Sequence, residues 1–192
     1  MKQQSLPRRT AVLFAMTLLV AGIAPAQKTA PKTAEPAKGA DRIVREVRHE
    51  LVMLPYYGVF DDLEYKVEGN TVTLMGEVRS LGLKNAAEKA VKDIEGVERV
   101  ENKIEMLPPN TADDQIRLVL YNKIYGQPSL QRYALQAVPS IHIIVRNGAV
   151  TLTGVVLNDL DKQVAYTQAN STPGIFRVTN NLRTEQPAGG VK

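Results

Sequence analysis

The chain has no cysteine and no tryptophan, three phenylalanines and two histidines in 192 residues. Without cysteine there is no disulfide, no thiol redox chemistry, no thiolate metal site and no lipid attached through an N-terminal Cys. The histidines, His49 and His142, stand 93 positions apart. The motifs H-E-x-x-H, G-x-S-x-G and G-x-x-x-x-G-K are missing as well. No enzyme is visible in these residues, and no cofactor or metal is expected.

Long apolar runs are equally scarce. The main one, Ala11 to Ile23, follows the basic residues Lys2, Arg8 and Arg9 and precedes Ala24-Pro25-Ala26. It reads as a secretory signal peptide over residues 1–26, too short and wrongly flanked for a membrane span. The residues after Arg8-Arg9, T-A-V-L-F, suit the twin-arginine route poorly. Removing this segment takes the formal charge from +4 to about +1. A chain so nearly neutral is not expected to bind nucleic acid. A periplasmic or secreted protein follows. Residues 27–40, rich in Ala, Pro and Lys, read as a flexible leader, and residues 186–192 as a frayed tail.

What is present in quantity is repetition. V-T-L-M-G-E-V (72–78) returns as V-T-L-T-G-V-V (150–156), and G-V-E-R-V-E-N-K-I (96–104) returns as G-I-F-R-V-T-N-N-L (174–182), both 78 residues on. Upstream the offset is 73: Ile43, Val47, Leu51 and Pro55 fall on Ile116, Leu120, Ile124 and Pro128. Five extra residues therefore lie between Pro128 and Val145. Two copies of so long a unit mean tandem domains, at 41–107 and 111–185.

Each copy reads as α-β-β-α-β, an α+β fold with a three-stranded mixed sheet and two helices on one face. The first helix carries Ile43, Val47, Leu51 and Leu54 on one side. Its counterpart starts at Thr111, with Asp114 three residues on. Gly69-Asn70 and Asn147-Gly148 read as hairpin turns with both positions at positive φ. Gly76 and Gly154 mark a bulge or a close backbone approach. The second helix spans Ser80 to Ile94, Gly96 stops it, and Val97 to Met106 forms the third strand. In copy two, Gln168 and Thr172 replace Ala90 and Ile94, so that helix should pack less firmly.

Several polar groups have ordinary readings. Arg42, Arg45, Arg48 and His49 alternate with Glu46 and Glu50 on a solvated helix face. Asp61, Asp62 and Glu64 read as a solvated acidic turn, lacking the spacing of a calcium loop. His142 alternates with Ile141 and Ile143 and is expected on the exposed sheet face.

Subtracting the copies gives the candidate site. Where the first helix of copy one has Arg45, Arg48 and Val52, copy two has Leu118, Tyr121 and Tyr125. With Ile116, Leu120 and Ile124 centring the buried stripe, Leu118 and Tyr125 face away from it. An apolar outer face needs a cover. Copy one or the insertion L-Q-R-Y-A-L (130–135), a membrane interface with Arg117 and Lys123 meeting phosphates, or another protein would each serve.

The ordered set of hairpin, V-T-L-x-G-x-V, helix and G-V/I-x-x-V-x-N-x-I/L, present twice, resembles the BON domain (bacterial OsmY and nodulation domain) over roughly residues 41–185. The resemblance implies attachment to anionic phospholipid in support of envelope integrity or stress response. In a similar dual-BON outer-membrane protein the first helix of the second domain faces lipid, which points to Arg117, Leu118, Tyr121, Lys123 and Tyr125. A protein-binding adaptor or periplasmic chaperone for envelope proteins is the alternative, and the low mature charge favours it.

Overall fold

The computed structural model describes residues 35–185. The segments read as a signal peptide, most of the leader and the tail lie outside them. Helix α1 (Glu35–Val52) begins before residue 41, the expected start of the first copy, so residues 35–40 of the segment read as leader are helical. It is followed by β1 (Asp62–Glu68), β2 (Thr71–Val78), α2 (Leu81–Lys92), β3 (Arg99–Asn102) and β4 (Glu105–Met106). The second copy repeats the order with α3 (Thr111–Tyr125), a 3₁₀ turn (Gln131–Ala134), β5 (Ile141–Arg146), β6 (Ala149–Val156), α4 (Asp159–Asn170), β7 (Arg177–Asn180) and β8 (Arg183–Thr184).

In each copy the quoted phrase is the central strand. β2 pairs antiparallel with β1, setting Tyr65 opposite Leu74, and parallel with β3 and β4. β6 does the same with β5, β7 and β8, setting Ile143 opposite Leu152. The expected third strand is thus two short pieces, and the motif's asparagine explains the break. The Asn102 amide donates to the Lys84 carbonyl in α2, while its oxygen accepts from Ile104 N–H. Asn180 repeats both bonds with Lys162 and Leu182. The kink drops Ile104 and Leu182 into their respective cores, each about 1% exposed.

The glycine of V-T-L-x-G answers to backbone crowding. Gly76 and Gly154 hold φ of 106° and 114°, and a Cβ there would collide with the carbonyls of Asp62 and Ser140. The hairpins differ from expectation and from each other. Asn147 and Gly148 both have positive φ, the type I′ pattern, whereas in the first turn only Gly69 does, as a type II′ turn requires. The caps of α2, α3 and α4 are Ser80, Asn110 and Asn158, each accepting a backbone N–H; Asn110 takes the place expected for Thr111.

Copy one closes its core with Ile43, Val47, Leu51, Val72, Leu74, Leu83 and Val91. In copy two α4 presents Asp161, Ala165 and Ala169 where α2 presents Leu83, Ala87 and Val91. Leu130 and Tyr133 of the insertion fill the volume so vacated, and Tyr133 Oη donates to Asp161 at 2.5 Å. Thr172, just past α4, is 5% exposed and its hydroxyl donates to the Gln168 carbonyl, while Gln168 itself is half-buried.

Both copies belong to one contact unit. β5 is buried on both faces, because its helix-free side packs on copy one. His142 is therefore 7% exposed and stacks on Tyr57 with ring centroids 5.4 Å apart, which overturns its reading as a surface histidine. Ile144 is buried beside it, and Arg146 pairs with Glu77 and, at 2.9 Å, with Glu105.

Candidate binding surfaces

The register of α3 decides the candidate site. Asp113 is 1% exposed, and its carboxylate accepts from the N–H groups of Asn147 and Gly148 at the β5–β6 turn. Anchoring Asp113 there turns the buried stripe to Asp113, Arg117, Leu120 and Ile124, leaving Ile116 half-buried. Arg117 is consequently 2% exposed, donating to Asp114 at 2.7 Å and to the Val145 carbonyl at 2.5 Å. It ties α3 to β5 and cannot meet a phosphate.

Tyr125 is likewise inside, 6% exposed, with Oη donating to the Ile141 carbonyl at 2.5 Å. Burial pushes its phenol above the ordinary tyrosine range. The cover comes from copy one: Val59 joins the second core, and Phe60 meets Tyr121 edge-on at 6.2 Å. Of the five predicted contact residues, Arg117 and Tyr125 are thus structural. Lys123 donates to the Ser171 carbonyl at 3.2 Å but keeps some exposure. Leu118 is 59% exposed and Tyr121 36%, with Val119 also outside. The Arg79–Asp114 ion pair at 3.2 Å ties the start of α3 to the segment before α2. Leu118, Val119 and Tyr121 leave a small apolar patch on the outer arc of α3.

A second feature escaped the sequence reading. A cleft of about 720 Å³ lies between the copies, walled by Arg45, Arg48 and Val52 of α1, Leu63 to Tyr65 of β1, and the segment before β5 of copy two, with Arg183 at its far side. Of the three acidic residues read as a solvated turn, Glu64 is exposed as expected, Asp62 is half-buried and Asp61 is buried. Asp61 is 7% exposed and accepts from Arg79 N–H at 2.7 Å, and burial raises its carboxyl. Burial, with repulsion from Glu64, pushes Asp62 up to about 6. Burial lowers His142, favouring the neutral ring. Among the described residues no group of three His, Asp or Glu is placed to hold a metal. Arg45 and Arg48 had read as an ordinary solvated helix face, and nothing in the periodicity showed that copy two stands opposite it.

The BON domain profile matches this chain twice, over residues 39–108 and 113–186. The chain belongs to the BON family. BON domains are in general non-catalytic and are associated with binding membrane phospholipid and with envelope and osmotic-stress proteins. No curated protein matches the sequence. Among solved structures, the chain is similar to the C-terminal domain of CdsD, a structural protein of the type III secretion system of Chlamydia trachomatis. The identity is 14%, with 75% of this chain and 98% of that one covered and a TM-score of 0.27. A second CdsD structure gives 15% identity, 76% and 94% coverage and the same TM-score. Overlays this distant transfer no function.

Proposed function

We propose that this dual-BON chain is a non-enzymatic, exported envelope protein that attaches to anionic phospholipid and supports envelope integrity. The observation carrying the proposal is Leu118, left 59% exposed on the outer arc of α3 beside Tyr121. A leucine and a tyrosine side by side suit the boundary between acyl chains and headgroups, where the phenol stays wet and the apolar surface is covered. Lys123 is the cation of this surface, since Arg117 is spent inside. With one cation the attraction contributes only about 1 kcal/mol, so apolar insertion dominates and binding is weak and reversible.

Sedimentation with phosphatidylglycerol vesicles tests the reading. Wild-type protein should co-sediment, Leu118→Glu should stay in solution with its fold intact, and 0.5 M salt should weaken binding only modestly. Protein that ignores such vesicles even at low salt, or Leu118→Glu that sediments like wild type, rejects the proposal.

A further inference from the structure

The outer edge of the second sheet is plugged by the chain itself. Ile143 N–H, on the side of β5 away from β6, donates to the Val59 carbonyl at 2.7 Å. Val59 sits at a tight turn closed by Asp61 N–H on the Gly58 carbonyl, its side chain enters the second core, and Phe60 rests on Tyr121. One short segment thus supplies a carbonyl to a strand edge, an aliphatic side chain and an aromatic ring.

The equivalent place in copy one has no plug. Tyr65 stands opposite Leu74 as Ile143 stands opposite Leu152, so the N–H and carbonyl of Tyr65 also turn away from the partner strand. No backbone partner among the described residues meets that N–H. This edge opens on the 720 Å³ cleft instead. The helix beside it differs from α3 on the corresponding face: Arg48 stands for Tyr121, on which Phe60 rests, Arg45 for the exposed Leu118, and the smaller Val52 for Tyr125. Arg45, Arg48 and Arg183, which wall the cleft, make no ion pair among the described residues, as the pairs formed elsewhere show. The free Tyr65 N–H beside Arg45 and Arg48 is a recognition surface for a peptide that offers a carbonyl and, on the α1 side away from Asp62 and Glu64, a carboxylate.

We infer that the β1 edge and the cleft beside it bind a polypeptide segment of a partner protein carrying an aliphatic residue followed by a carboxylate. Its backbone carbonyl takes the Tyr65 N–H, as Val59 takes Ile143. Its aliphatic side chain fills the space over Val52. Its carboxylate meets Arg48 and Arg45 where Phe60 would meet a tyrosine. This surface is separate from the Leu118 patch and does not depend on lipid binding.

The test uses two hexapeptides, Y-G-V-F-D-D, the chain's own plug, and Y-G-V-E-D-D, titrated into the full chain while backbone amide resonances are followed. The glutamate peptide should bind saturably in the sub-millimolar range and move the Leu63 and Tyr65 amides. Arg48→Glu, on an exposed helix face where it leaves the fold undisturbed, should weaken it about tenfold. Arg48→Tyr should reverse the preference toward the phenylalanine peptide. The inference is overturned if the Tyr65 amide does not move with either peptide at millimolar concentration. Binding indifferent to Arg48→Glu overturns it too, as do cleft resonances that respond to phosphatidylglycerol vesicles and not to peptide.

Discussion

Tyr133 donates a 2.5 Å hydrogen bond to Asp161 inside the second repeat, at the position where the first repeat buries Leu83. The phenol also accepts from Leu157 N–H at 2.9 Å. Tyr133→Phe leaves both groups short of a partner and should cost about 1–3 kcal/mol. Adding Asp161→Leu, which restores the residue of copy one, should recover much of that loss. Urea unfolding of the single and double variants measures it, and equal stability of Tyr133→Phe and wild type would show that the bond contributes nothing.

The two glycines of β6 and its turn should respond unequally. Gly154→Ala drives a Cβ into the Ser140 carbonyl at a φ of 114°, a backbone contact that cannot yield, and should cost at least about 3 kcal/mol or prevent folding. At Gly148 the obstacle is Phe176, an exposed side chain free to swing, so Gly148→Ala should cost only about 1 kcal/mol of left-handed strain. Thermal midpoints of the two variants give the comparison.

Arg117 is the residue where an electrostatic reading and a structural one predict opposite outcomes. Its bonds to Asp114 and to the Val145 carbonyl are internal, so Arg117→Met should lower stability by about 2 kcal/mol and leave vesicle sedimentation unchanged. Loss of sedimentation at full stability would return Arg117 to the lipid surface.

Asp62 and His142 border the same cleft, and burial shifts them in opposite directions. Asp62 is raised from 3.8 to about 6, so the fold holds its proton longer than the unfolded chain does. Stability from this group is greatest at low pH, falls as pH rises between about 4 and 6, and stays reduced above. His142 is lowered from 6.5, so it contributes stability above that pH and loses it as pH falls. Asp62→Asn should therefore stabilise the protein by about 1 kcal/mol at pH 7.5, after allowance for solvent screening, and by nothing near pH 4. His142→Phe, which keeps a ring on Tyr57, should flatten the acid side. Urea midpoints at pH 4.5, 6 and 7.5 separate the two slopes.

Much of the fold was legible before any coordinates. Alternating Val72, Leu74 and Val78, the helical spacing of Ile43, Val47 and Leu51, and the doubled glycine phrase each report on one element and its nearest neighbours. Local sterics and local burial fix such features, so the linear pattern carries them. The same pattern misplaced α3 by a fraction of a turn. An apolar stripe of Ile116, Leu120 and Ile124 is consistent with several rotations, and the choice among them rested on Asp113 reaching a hairpin turn 34 residues away.

From its sequence alone this protein is committed to two αββαβ units, their central strands and the glycine that interrupts each of those strands, while the break of each third strand at its asparagine became visible only in the fold. Tertiary packing alone decided that Arg117 and Tyr125 turn inward, that His142 is buried, and that one sheet edge is plugged while its twin stays open. The reason is physical. Periodicity encodes which side of an element avoids water, whereas Val59 on Ile143 and Arg146 on Glu77 join residues of different repeats, whose meeting depends on shape and charge across the junction.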